Sequence, residues 1–354
     1  MKGKLGIIIT GGIVGLFAVL LVFFGNPANM GYCIACFIRD IAGAIGLHRA
    51  EPVQYIRPEI IGLVLGAFIW SLKNKEFSAK GGSSPFTRFV LSISVMIGAL
   101  VFLGCPLRML LRLAAGDFNA ILGLAGFISG ILGGIFFLNK GFNLKRNYKL
   151  TNLEGYLFPT MNIGLFALLL ATPAFIFFSK SGPGAATAPI WISLAAGLII
   201  GALAQKTRLC TVGGFRDMIL FRDNHLFLGL ISLIIVALIG NLITGNFNPG
   251  FANQPIAHTD GLWNFLGMAL VGWASVLLGG CPMRQLILAG EGNTDSVICI
   301  MGLLVGAAIA HNFGLASSAK GTTINGQIAV GICFIVVLII SWANSEFLSN
   351  KSQA

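Results

Sequence analysis

Apolar positions along the chain come in long blocks separated by short polar connections. The blocks are 5–24, 58–72, 89–104, 118–138, 159–178, 189–205, 225–244, 262–279, 294–315 and 327–343. Each runs about 15 to 22 residues, close to the roughly 20 that a helix needs to cross the hydrocarbon of a bilayer. The pattern predicts about ten transmembrane helices. The first block follows Met1-Lys2-Gly3-Lys4 like a signal peptide, but it is too long for an h-region and no small-residue cleavage site follows, so it reads as an uncleaved span.

Composition agrees with this class. The chain of 354 residues is 56% hydrophobic and 10% charged, against about 25% charged in a soluble domain. Its formal charge of +11 would suggest nucleic acid in a soluble protein. Here the basic residues stand between the apolar blocks, so topology is the better reading and no nucleic-acid partner is expected. With Lys2 and Lys4 inside and ten alternating spans, the inner side collects most of the 23 Lys and Arg, among them Lys73, Lys140, Arg146, Arg208, Arg216, Arg284 and Lys351. The outer stretch 245–261 has none. The positive-inside rule then predicts a multi-pass membrane protein with both termini cytoplasmic. Seven cysteines, an odd number, lie in or beside apolar runs and read as thiols rather than a disulfide framework.

Two motifs occur twice. Gly104-Cys105-Pro106-Leu107-Arg108 returns as Gly280-Cys281-Pro282-Met283-Arg284, and Cys33-x₅-Arg39-Asp40 returns as Cys210-x₅-Arg216-Asp217. The two offsets differ by one residue, which marks an internal repeat. The predicted unit is span, Cys-x₅-Arg-Asp loop, two spans, Gly-Cys-Pro-x-Arg segment, two spans. Five spans per unit would invert the second copy, giving a 5+5 inverted repeat with a site near the midplane. The Ser/Gly/Pro stretch 179–184 marks the boundary, dividing one membrane domain into repeats 1–180 and 181–354.

After each Gly-Cys-Pro-x-Arg too few residues remain for a full excursion, yet the segments are apolar, as in Met109-Leu110-Leu111 and Leu286-Ile287-Leu288. Re-entrant half-helices fit. Gly104 and Gly280 would permit the turn, Pro106 and Pro282 would begin the helix, and Cys105 and Cys281 would sit near its N-cap, where free N–H groups favour an anion. Arg108 and Arg284 then serve the thiol, the substrate or both. Arginine near a bilayer centre costs at least about 2.5–3.5 kcal/mol on insertion scales, so two at matched positions imply a wet cavity. Cys33 and Cys210, with Arg39, Arg216, Asp40 and Asp217 behind them, read either as further substrate contacts with anion-stabilising arginines or as structural ion pairs. Cys33-Ile34-Ala35-Cys36 also has redox-dithiol spacing, but Gly213 stands where a second Cys36 would be, so that pair is outside the repeat. His311-Asn312 reads equally as a proton relay or a helix-packing pair. No metal site or cofactor is implied, and no Gly-x₄-Gly-Lys-Ser/Thr phosphate loop is present.

Thiols and arginines on both approaches suit a soft, sulfur- or selenium-bearing anion, held at several modest stations that it can leave again. The paired Gly-Cys-Pro-x-Arg motifs and the run Arg208-Leu209-Cys210-x-x-Gly213-Gly214-Phe215-Arg216-Asp217 resemble the YeeE/YedE family of sulfur-transport membrane proteins. The resemblance covers nearly the whole chain. It implies an inner-membrane permease, not an enzyme, in which thiosulfate passes between pore cysteines, in some cases alongside a small TusA-like sulfur carrier. By motif match Cys105 and Cys281 take the central relay positions and Cys33 the outermost one. Asn29-Met30-Gly31-Tyr32-Cys33 is similar to the YedE branch associated with selenium metabolism, with Gly31 standing where the second copy has Arg208. Two alternatives compete with the permease. One is a membrane thiol-disulfide oxidoreductase acting through Cys33, Cys36 and Cys105. The other is a soft-metal channel, disfavoured by the arginines beside each key thiol.

Overall fold

A computed structural model describes residues 3–346; Lys2, Lys351 and the terminal Ala354, which enter the orientation argument, lie outside the described residues. The first seven helices are α1 (Lys4–Phe23), α2 (Ile34–Ala44), α3 (Pro58–Lys73), α4 (Pro85–Phe102), α5 (Pro106–Ala114), α6 (Asn119–Asn139) and α7 (Asn152–Ala171). The next seven are α8 (Ile190–Thr207), α9 (Thr211–Phe221), α10 (His225–Thr244), α11 (Gly261–Leu277), α12 (Pro282–Gly290), α13 (Thr294–Asn312) and α14 (Ile324–Ala343). Among the described residues the only strands are Lys80–Gly81 and Tyr148–Lys149, paired with each other. A helical scaffold is what a bilayer demands, because a helix satisfies its backbone groups internally.

Ten segments are long and apolar enough to cross a membrane among the described residues, as the hydropathy blocks predict. In three of them a long helix is joined to a short one: α4 with α5, α8 with α9, and α11 with α12. The order long, short, long, long, short, long, long in α1 to α7 recurs in α8 to α14. Several helix ends lie a few residues from the hydropathy blocks, and two departures from the sequence reading are larger. The Cys-x₅-Arg-Asp stretches are not loops but the short helices α2 and α9, with Cys33 and Cys210 as N-caps. The fifth span begins at Asn152 instead of Pro159 and ends at Ala171. Thr172 turns left-handed there and Pro173 follows, so the helix stops although the apolar run continues to Phe178.

The two halves interlock. Helix α1 lies along α10 as α3 lies along α8, and α6 lies along α11 as α4 lies along α13. Small residues bring the backbones close, the usual means of helix association in lipid. A Cβ added at Gly62 of α3 would stand 2.5 Å from the Leu194 carbonyl of α8. The interior of the bundle is built from α4–α5 and α11–α12, whose most apolar stretches are 89% and 78% buried, whereas that of α7 is only 22% buried. The short helices α2, α5 and α12 lie buried among the long ones, and α9 is buried through its first turn, residues 211–215.

Candidate functional site

All four short helices begin at a cysteine. Pro106 and Pro282 occupy the first positions of α5 and α12, with Cys105 and Cys281 as their extended N-caps, as the sequence predicts. Cys33 and Cys210 cap α2 and α9 through sulfur, accepting from the backbone N–H of Cys36 at 3.4 Å and of Gly213 at 3.3 Å. The helices converge in pairs. Cys33 Sγ lies 4.0 Å from Cys105 Sγ, and Cys210 Sγ lies 3.7 Å from Cys281 Sγ. Each central thiol thus meets two helix starts. The sulfur of Cys105 faces the N–H groups of Arg108 and Ala35, and that of Cys281 those of Arg284 and Thr211. Converging N-termini offer free donors and the positive ends of two dipoles, an arrangement that favours an anion. All of these thiols are buried and unbridged.

The glycine of Gly-Cys-Pro-x-Arg has a different role from the one its type suggests. Positive φ falls on the preceding residues, 62° at Leu103 and 81° at Gly279. Gly104 and Gly280 are needed because the arginine four residues on folds back over them. A Cβ at Gly104 would lie 2.9 Å from Arg108 Cδ, and one at Gly280 would lie 3.0 Å from Arg284 Cγ.

The arginines are in unlike states. Arg39 is bound to Asp40 at 2.7 Å, and Arg57 takes the other oxygen of the same carboxylate, also at 2.7 Å. Arg216 is bound to Asp217 at 2.8 Å, and Arg284 to Glu291 at 3.2 Å. Glu291 also takes Arg208, which reaches Glu76 as well. Arg108 has no carboxylate partner among the described residues. It is fully buried and donates to the carbonyls of Asn29 at 3.0 Å, Ile256 at 3.0 Å, Pro255 at 3.5 Å and Leu103, and to one thiol. Its Nη1 stands 3.8 Å from Cys36 Sγ. A neutral acceptor set around a guanidinium leaves the charge itself uncompensated, so the first thiol cluster carries a positive field.

The two clusters also differ in access. The Arg39–Asp40 side chains are 4% and 0% exposed, whereas Arg208 at the second cluster is 48% exposed. Gly31, in the place of Arg208, sits against the Ala18 backbone with no room for a side chain. Several site residues escaped the sequence reading: Arg57, Glu76, Glu291 and the buried Arg112–Asp117 pair at 2.6 Å. None has a counterpart of its kind in the other half, so a search for repeats passes over them. The available signal was an ionisable residue inside or beside an apolar segment, which in a membrane is a candidate by default. Cys299 and Cys333 lie in α13 and α14 and are buried in the core.

Ten apolar segments, three of them ending in a short cysteine-capped helix, together with the short helix α2 define a multi-pass α-helical membrane protein. Residues 206–345 match the Sulphur transport family, in keeping with the YeeE/YedE resemblance of the chain's motifs. Among curated proteins it is 30% identical over 119 residues to the thiosulfate transporter TsuA of Escherichia coli (strain K12), covering 34% of this chain and 33% of the relative. It is 32% identical over 112 residues to the thiosulfate transporter TsuA of Spirochaeta thermophila, covering 30% of this chain and 32% of the relative. These matches span about a third of the length of each relative.

Proposed function

We propose that the protein is an inner-membrane permease for a small sulfur-containing anion, thiosulfate-like or the corresponding selenium species. The observation that carries this reading is the seating of two thiol pairs, Cys33 with Cys105 and Cys210 with Cys281, at converging helix N-termini in the interior of a ten-span bundle. In this reading the four thiols are stations of one path. Their weak S–H contacts and backbone N–H donors hold an anion without a tight site, which is what conduction requires. Arg108 supplies the uncompensated charge at the first pair. Arg39, Arg216 and Arg284 also border the thiols, each with a carboxylate that tempers its pull. Gly104, Gly280, Pro106, Pro282, Asp40 and Asp217 shape the loops and helix starts.

The reading includes an architecture. The halves 1–180 and 181–354 form inverted repeats, so the first cluster serves the outer approach and the second the inner one, with both termini cytoplasmic. The recurring helix order and the reciprocal pairing of α1–α10 with α3–α8 support it. The exposed Arg208 at the second cluster suits delivery to a TusA-like sulfur carrier on the cytoplasmic side. The contact of Cys33 with Cys36 at 2.8 Å favours one alternative, a membrane thiol-disulfide oxidoreductase.

The deciding experiment is uptake of labelled thiosulfate and of labelled selenite, in separate runs, by cells that lack their own importers. Uptake of one label by the wild type and its loss in Cys105→Ala is the expected result, and the label taken up names the substrate. With the protein confirmed in the membrane, no uptake of either label overturns the permease reading in favour of the oxidoreductase.

A further inference from the structure

Cys36 is not explained by a relay. The second cluster works with two thiols and has Gly213 in the matching place, yet the first holds a third thiol, fully buried. Cys36 Sγ lies 2.8 Å from Cys33 Sγ and 3.8 Å from Arg108 Nη1. Cys33 itself is the N-cap of α2 and accepts a backbone N–H through its sulfur. A thiol at a helix start, a second thiol one turn on and a guanidinium beside them are the parts of a nucleophile, a resolving group and a stabiliser for an anionic leaving group. Thiosulfate, the anion of the permease reading on which this inference rests, carries a sulfane sulfur that thiols attack.

We propose that Cys33 and Cys36 form a sulfur-transfer site that splits thiosulfate lodged at the first cluster. Cys33 sulfur attacks the sulfane sulfur; a new S–S bond forms, the S–S bond of thiosulfate breaks, and sulfite leaves toward Arg108. Cys33 then carries a persulfide that obstructs the path. Cys36 attacks the Cys33 sulfur of that persulfide, releasing hydrosulfide and closing a Cys33–Cys36 disulfide. In sum, S₂O₃²⁻ and two thiols give one disulfide, HS⁻ and HSO₃⁻. The two thiols are oxidised by two electrons, the sulfane sulfur is reduced to sulfide, and the two thiol protons leave on the products. An added dithiol reopens the disulfide by exchange and permits another round.

The test uses the purified full chain, reduced, freed of reductant and given thiosulfate, with intact mass, sulfite and sulfide read together. The wild type is expected to lose about 2 Da, the two hydrogens of disulfide formation, and to release one sulfite and one sulfide per chain. Cys36→Ser is expected to release sulfite without sulfide and to gain about 32 Da, the mass of one persulfide sulfur. Cys33→Ser is expected to do neither. Unchanged mass and no sulfite from wild-type protein that still carries labelled thiosulfate into liposomes overturns the inference and leaves the permease standing. Absence of both flux and sulfite overturns both.

Discussion

Replacement of Arg108 separates the electrostatic role of this side chain from its structural one. Its guanidinium donates to the carbonyls of Asn29, Leu103, Pro255 and Ile256 and has no carboxylate partner among the described residues. Both Arg108→Lys and Arg108→Gln strip donors from these carbonyls, at about 1–3 kcal/mol for each buried group left unpaired, so both lower stability. Only Arg108→Gln removes the charge. An anion at the position of Cys36 Sγ lies 3.8 Å from Nη1. At an effective dielectric of about 20 a charge pair at that separation is worth about 4 kcal/mol, and delocalisation over the guanidinium reduces this to about 2–3 kcal/mol. At about 1.4 kcal/mol per decade, Arg108→Gln should weaken apparent affinity roughly 30- to 150-fold beyond Arg108→Lys. The assay is initial uptake of labelled thiosulfate into proteoliposomes across a concentration series, normalised to the folded fraction from size-exclusion chromatography. Equal half-saturation in the two variants would refute the electrostatic role and leave Arg108 as a clamp on three loops.

Cys281→Ala should abolish uptake while leaving the amount in the membrane unchanged, because a thiol-sized cavity costs only about 1 kcal/mol; wild-type flux would remove Cys281 from the path. Gly280→Ala should lower uptake a few-fold, since a Cβ there stands 3.0 Å from Arg284 Cγ and shifts the side chain bound to Glu291 by a few tenths of an ångström; unaltered flux in a folded variant would show that the fold-back of Arg284 is dispensable. A reporter fused after Ala354 should read cytoplasm, and a signal from the opposite side would overturn the orientation and the even span count together.

The ten spans and the helix starts at Gly-Cys-Pro-x-Arg were legible along the chain because both depend on neighbours in sequence. Hydropathy over about 20 residues decides whether a helix can reside in lipid, and a proline after a cysteine places that cysteine at a helix start wherever the helix goes. The repeat likewise exposed Cys33, Cys105, Cys210 and Cys281 together. Even locally the reading had limits. Apolar character continues past Pro173 to Phe178, so hydropathy runs beyond the point where Thr172 turns left-handed and α7 ends.

Which thiol meets which was decided by tertiary structure. Cys33 reaches Cys105 across 72 positions and Cys210 reaches Cys281 across 71, through the convergence of helices that no local pattern specifies. Whether an arginine's charge is compensated is equally a matter of packing. Arg39 carries its carboxylate beside it in sequence, Asp40 at 2.7 Å. Folding adds Arg57 to that carboxylate at 2.7 Å and surrounds Arg108 with carbonyls, which accept its hydrogen bonds without compensating its charge. Hydropathy and helix initiation are summed over adjacent residues and can be read in order; an electrostatic field is summed over whatever lies within a few ångströms, and only the fold brings those groups together.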